Sequence, residues 1–156
     1  MRGTDVAVLE SDVLRRVLTP RPDYSEEERD AFYRAMAFVG KLLVEHGVPV
    51  IFDATANRRI YRDRAREQIA RFLEVYVDCP LAVCRERDAK GIYRKAQEGV
   101  ASTVPGLQAA YEPPEHPDVA VRGDREAPLE AARRVLAKLV EKHYLEEHAP
   151  AGEGGI

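Results

Sequence analysis

Between Val48 and Arg66 the chain reads VPVIFDATANRRIYRDRAR: a short apolar run stops at Asp53, and a polar turn leads into an arginine-laden segment. A short apolar run cut off this way suits a parallel β-strand covered on both faces, and ligands on open α/β sheets gather beyond the carboxyl ends of such strands. This reading draws the rest of the chain toward an α/β arrangement. It places Asp53, Thr55, Asn57 and the nearby arginines where chemistry is expected. The competing reading is local, with Asp53 or Thr55 capping the next helix, the commoner role for a lone Asp in such a turn.

The remainder of the chain supports the α/β arrangement. A strand is expected at Val6 to Leu9, then a short helix from Val13 to Leu18 that Pro20 and Pro22 forbid from continuing. Ser25 and Glu28 have the spacing of a capping box, and Phe32, Met36, Val39 and Leu43 repeat at helical spacing up to Gly47, so a helix is predicted over Glu26 to His46. Strands follow at Pro49 to Phe52 and Phe72 to Val77, with a basic helix from Arg59 to Arg71 between them. Asp78 and Pro80 open a helix to Asp88. A last strand at Asp118 to Val121 leads to a helix over Leu129 to Tyr144, whose inner side is expected to carry Leu129, Ala132, Leu136, Leu139 and Val140. Strands alternating with helices predict a mostly parallel sheet with flanking helices. Residues 1–145 read as a single domain and 146–156 as a flexible tail. The proline- and glycine-rich stretch from Ala89 to Pro117, with a short helix near Tyr93 to Glu98, reads as a binding loop or lid.

Composition narrows the function classes. No apolar run is long enough to span a bilayer and the N-terminus lacks a signal-peptide layout, so a cytoplasmic protein is expected. Cys79 and Cys84 are too few for a disulfide framework, no zinc-ligand spacing is present, and two buried free thiols are expected. The net charge of −3 conceals a basic cluster at Arg58, Arg59, Arg62, Arg64 and Arg66. That pattern favours a small anionic ligand over nucleic acid, although a solvated helix face paired to Asp63 and Glu67 is as good a reading for most of these arginines.

Four segments carry a resemblance. VLESDVLR at residues 8–15, YSEEER at 24–29, RFLEVYVDCPLAVCRERDAKGIYRKA at 71–96 and GLQAAYEPPEHPD at 106–118 are similar to the LDGDNVR, FSEEDR, RFIEVYVDTPLEVCEERDPKGLYKKA and GIDSPYEAPENPE segments of the adenylyl-sulfate kinases. The resemblance implies a P-loop kinase-like fold. It also implies transfer of the ATP γ-phosphate, with Mg2+, to the 3′-hydroxyl of adenosine 5′-phosphosulfate in sulfate assimilation. It would place Asp12 near the metal and the accepting hydroxyl, Arg15 and Arg29 on the adenylyl-sulfate, Lys90 and Tyr93 in the closing lid, and Arg87 near the nucleotide phosphates. Arginine's planar fork suits phosphate and sulfate, and a carboxylate beside the acceptor can orient it or take its proton. A small-molecule nucleotide is the implied partner, with neither nucleic acid nor membrane, and a homodimer is one option.

The sequence also departs from the family. Phe32 replaces an asparagine, Val104 a lid phenylalanine and Ser102 a lid lysine. Asp53, assigned here with Asp12 as a catalytic candidate, is similar to the strand-end Asp of P-loop kinases acting on sugars, polynucleotide ends or antibiotics. No G-x-x-x-x-G-K-[ST] phosphate cradle occurs, since Gly40-Lys41 lies inside an amphipathic helix and reads as structural. The resemblance therefore implies a sheet missing its usual first, central strand. Its flanking edges would pair directly, accept a partner, or belong to a longer product, the last being the favoured expectation. A kinase for another small hydroxyl compound and a non-catalytic nucleotide-binding remnant are the alternatives.

Overall fold

The computed structural model describes residues 5–87 and 110–145. Most of the expected lid, including Lys90, Tyr93, Ser102, Val104 and the short helix near Tyr93, falls outside them, as does the tail. The described elements run β1 (Ala7–Glu10), α1 (Ser11–Leu18), α2 (Glu26–Glu45), β2 (Val50–Asp53), α3 (Arg59–Gln68), β3 (Val75–Asp78), α4 (Leu81–Arg87), β4 (Val119–Arg122) and α5 (Pro128–Glu141). Both strand pairs are parallel, β1 with β2 and β3 with β4, and each forms a two-stranded sheet. The direct pairing of β2 with β3 allowed by a missing central strand is not what the sheets show.

Each strand runs one residue further than its apolar stretch, ending on Glu10, Asp53, Asp78 or Arg122. A parallel ladder is built from backbone groups, so it continues through a charged residue whose side chain reaches solvent at the sheet's carboxyl edge. Conversely, α3 stops at Gln68, three residues short of expectation, because buried Ile69 has an extended backbone (φ −124°, ψ 106°).

The chain divides into two compact units. In the first, α2 covers the β1–β2 sheet, and Leu9, Phe32, Tyr33, Met36 and Tyr61 form the core. The predicted stripe of α2 is present, joined by a neighbouring row of Tyr33, Ala37 and Gly40. Gly40 is glycine for a packing reason: a Cβ there would occupy the space of the Phe52 ring. Lys41 pairs with Glu45 at 2.8 Å, so the Gly-Lys pair is structural. Helix α2 ends as its sequence requires. Gly47 has φ +79°, its N–H reaches Val44 O at 3.0 Å, and the Val48 N–H reaches Leu43 O at 3.0 Å, the paired bonds of a Schellman motif. The expectation that the opening strand is covered on both faces fails for the described residues. Val8 and Ile51, in register on adjacent strands, are 59% and 52% exposed.

In the second unit, Val119 and Val121 of β4 are buried. The Asp118 carboxylate accepts from Glu74 N–H at 2.8 Å and pairs with Lys142 at 2.8 Å. On α5 the half-buried residues are Ala131, Val135, Lys138, Leu139 and Val140. Leu129 and Leu136, expected inside, are 64% and 53% exposed, and Ala132 is exposed as well, whereas Leu139 and Val140 are half-buried. Cys79 and Cys84 form no disulfide and are only half-buried. No helix among the described residues is long and apolar enough to cross a membrane.

Candidate active site

The carboxyl edge of the β1–β2 sheet gathers the acidic candidates. Glu10 and Asp53 are register partners at the strand ends. One residue separates Glu10 from Asp12, which stands exposed in the first turn of α1. Asp53 is also exposed. Helix α3 is preceded by Arg58, which makes no side-chain cap, so neither Asp53 nor Thr55 caps it. The cap is supplied from far along the chain, where the Glu112 carboxylate accepts the Arg59 N–H at 2.8 Å. The local explanation of Asp53 thus falls away.

Arg15 and Arg29 come together around one aromatic cluster. The Arg15 guanidinium carbon lies 4.0 Å from the Phe32 ring centroid, 5.5 Å from Tyr24 and 5.9 Å from Tyr33. The buried Arg29 donates from Nε to Tyr24 O at 3.2 Å, with its guanidinium carbon 5.8 Å from the same Tyr24 ring. Phe32, which replaces an asparagine of the family pattern, therefore forms the shelf beneath Arg15. Cation–π attraction holds the guanidinium over the ring without consuming its N–H donors.

Tyr33 links this cluster to the turn after Asp53. Its ring stacks on Tyr61 at 4.6 Å and meets Phe32 edge-on at 5.3 Å. Its hydroxyl accepts the Ala56 N–H at 3.1 Å. Burial pushes the Tyr33 hydroxyl's pKa up, while the Ala56 bond and the charges of Arg15 and Arg29 pull the other way. Ala56 has φ +39°, an unusual backbone for a residue with a Cβ, and its carbonyl accepts from Arg62. Asn57, 5% exposed, donates from Nδ2 to Ala110 O at 2.9 Å, and its own carbonyl accepts the Glu112 N–H at 2.8 Å. The turn is clamped from three directions. Sequence reasoning passed over Tyr24 and Tyr33. The available signal for Tyr33 was a tyrosine beside a core stripe, a ring whose polar tip needs a partner when buried.

The arginine cluster makes tertiary pairs. Arg58 reaches Glu26 at 3.7 Å, Arg59 pairs with Glu115, Arg64 with Asp30, and Arg62 donates to Glu112 O at 2.6 Å. Arg66 lies over the Phe72 ring at 5.2 Å. These contacts replace the expected local pairing to Asp63 and Glu67 as the account of the cluster. Arg87 closes α4 and is exposed. Among the described residues no group of three His, Cys, Asp or Glu side chains could hold a metal ion.

The chain is similar to known proteins in both sequence and structure. The family profile for adenylylsulphate kinase matches residues 1–122. The adenylyl-sulfate kinase of Microcystis aeruginosa is 39% identical over 145 residues, covering 93% of this chain and 80% of that protein. A probable adenylyl-sulfate kinase of Synechocystis is 41% identical over 144 residues, covering 92% and 81%. The solved structure of the Mycobacterium tuberculosis APS kinase in complex with AMPPNP and APS superposes with a TM-score of 0.79 at 32% identity, covering 88% of this chain and 81% of that one. This chain belongs to the adenylylsulphate kinase family.

Proposed function

We propose that this chain is an adenylyl-sulfate kinase, transferring the γ-phosphate of ATP to the 3′-hydroxyl of adenosine 5′-phosphosulfate (APS) in sulfate assimilation. The observation that carries the reading is the convergence of Arg15 and Arg29 on Tyr24, with Arg15 on the same helix as Asp12. Two arginines held on aromatic faces form a preorganised grip for a phosphosulfate. Asp12 and Asp53 act at the acceptor, orienting its hydroxyl and receiving its proton. Arg87 serves the nucleotide phosphates, and Lys90 and Tyr93 serve the bound APS. Mg2+, when bound with ATP, neutralises charge on the phosphates. Asp53 or Asp12 would be the carboxylate to hold it. The reading places the enzyme in the cytoplasm, with small nucleotides as its partners and a homodimer as its assembly.

A second reading is favoured by one specific observation: the 156 residues contain no G-x-x-x-x-G-K-[ST] sequence to cradle the β- and γ-phosphates. In that reading the chain binds APS without phosphorylating it. Calorimetry with APS and with ATP plus Mg2+, alongside an assay for ADP release, separates the two. The kinase reading expects both ligands to bind and ADP to appear. It also expects Asp12→Asn to abolish ADP release at an unchanged melting temperature. Binding of APS with no binding of ATP establishes the second reading, and binding of neither sinks both.

A further inference from the structure

The start of α2 has the sequence of a capping box, but its glutamate is used elsewhere. In a capping box the N-cap side chain takes the N3 backbone N–H while the N3 carboxylate returns to the N-cap N–H. The first half is present, since Ser25 Oγ accepts the Glu28 N–H at 3.2 Å. The second half belongs to a different residue. The Ser25 N–H donates to Asp23 Oδ1 at 2.8 Å, which leaves the Glu28 carboxylate for other partners. One of its oxygens, Oε2, accepts the Asp23 N–H at 2.6 Å, and the other, Oε1, accepts from Arg15 NH1 at 3.0 Å.

Helix capping is therefore complete with Asp23 in the second role, and Glu28 becomes a fixed carboxylate aimed at Arg15. The two side chains are 13% and 16% exposed, so the pair lies out of bulk water. A desolvated ion pair is a weak device for stability, but it fixes orientation well. The Phe32 ring lies beneath the guanidinium and Glu28 holds one of its terminal nitrogens, so the group is restrained at two points. An unanchored arginine loses rotamer freedom when it grips an anion, whereas an anchored one has lost it already.

We propose that Glu28 is a positioning residue for phosphosulfate binding, acting through Arg15, with Asp23 taking over its capping duty. This rests on the reading of Arg15 as an APS ligand and adds the residue that aims it. A carboxylate beside Arg15 also lowers the local positive potential, so a purely electrostatic role would give the opposite effect, tighter binding without Glu28. The experiment decides between them.

APS affinity is measured by calorimetry on the wild-type chain, Glu28→Gln, Arg15→Gln and the double variant, each well below its own melting temperature. Glutamine preserves an acceptor for the Asp23 N–H and removes the charge-assisted bond to Arg15. The expected result is affinity about tenfold weaker for Glu28→Gln, the loss of one charge-assisted bond. In the Arg15→Gln background the Glu28 substitution is expected to have no further effect. A general structural role for Glu28 would weaken binding in both backgrounds, so additive losses overturn the proposal. So does unchanged or tighter binding by Glu28→Gln in an otherwise wild-type chain. Failure of the wild-type chain to bind APS overturns the underlying reading and the proposal with it, an outcome distinct from wild-type binding that is indifferent to Glu28.

Discussion

Gly40 shows how one atom can decide the packing of a helix on a strand. In the middle of an exposed helix, Ala in place of Gly stabilises by about 1 kcal/mol, so propensity alone argues for the substitution. Here the added Cβ meets the Phe52 ring. Overpacking of this kind costs roughly 1–3 kcal/mol, and Gly40→Ala is expected to lower the urea midpoint, against the sign that helix propensity gives. Its place inside a periodic helix made Gly40 legible as structural, but the ring it accommodates belongs to another element and left no mark nearby in the sequence. Asp53 is the converse case. Its position at a strand end was legible from the abrupt change in polarity, whereas the release of that residue from helix capping depends on Glu112, which no local pattern connects to it.

Helix α2 is the element whose limits the sequence states best, because both ends are punctuated locally. Ser25 takes the Glu28 N–H, and Gly47 supplies the positive φ that closes the Schellman motif. Ser25→Ala is expected to cost about 1 kcal/mol, read as a lowered melting temperature with the site residues otherwise unchanged. The strands were less legible at their ends, since a ladder stops where its partner stops and not where apolar residues do. The facing of α5 was legible only near its end, where Leu139 and Val140 are half-buried as expected. Its rows of apolar residues overlap in sequence, so periodicity alone did not choose among them. In the candidate site, Arg15 and Arg29 could be named from the resemblance, but their shared ring and the diverted glutamate follow from the path of the chain between α1 and α2.

Taken as a whole, the molecule carries its carboxylate pairs in both compact units, and acid should weaken both. Hydrogen bonds from Arg64, Arg122 and Arg134 hold the carboxyl groups of Asp30, Asp124 and Glu126 below their ordinary range. The native state then binds fewer protons than the unfolded chain near those pKa values, so the stability these groups contribute is present above the ordinary carboxylate range and is lost as pH falls below about 4. All three are half-buried and their arginine partners are more open to solvent, so the contribution is modest and salt-screened. Urea midpoints taken at pH 6 and pH 3 (about 2 units above and about 1 unit below the ordinary carboxylate value) are expected to fall with acid, and less steeply for Asp30→Asn. The strand pairs hold a different consequence, a kinetic one. Ala7 meets Val50 and Val75 meets Val119, and neither sheet contains a hairpin. Every strand contact must therefore wait for a long loop to close, which places the rate-limiting search in sheet assembly. Helix α2, whose cap and stop signals are local, is the natural first template, and truncating Met36 to Ala should slow refolding more than truncating Val121 to Ala.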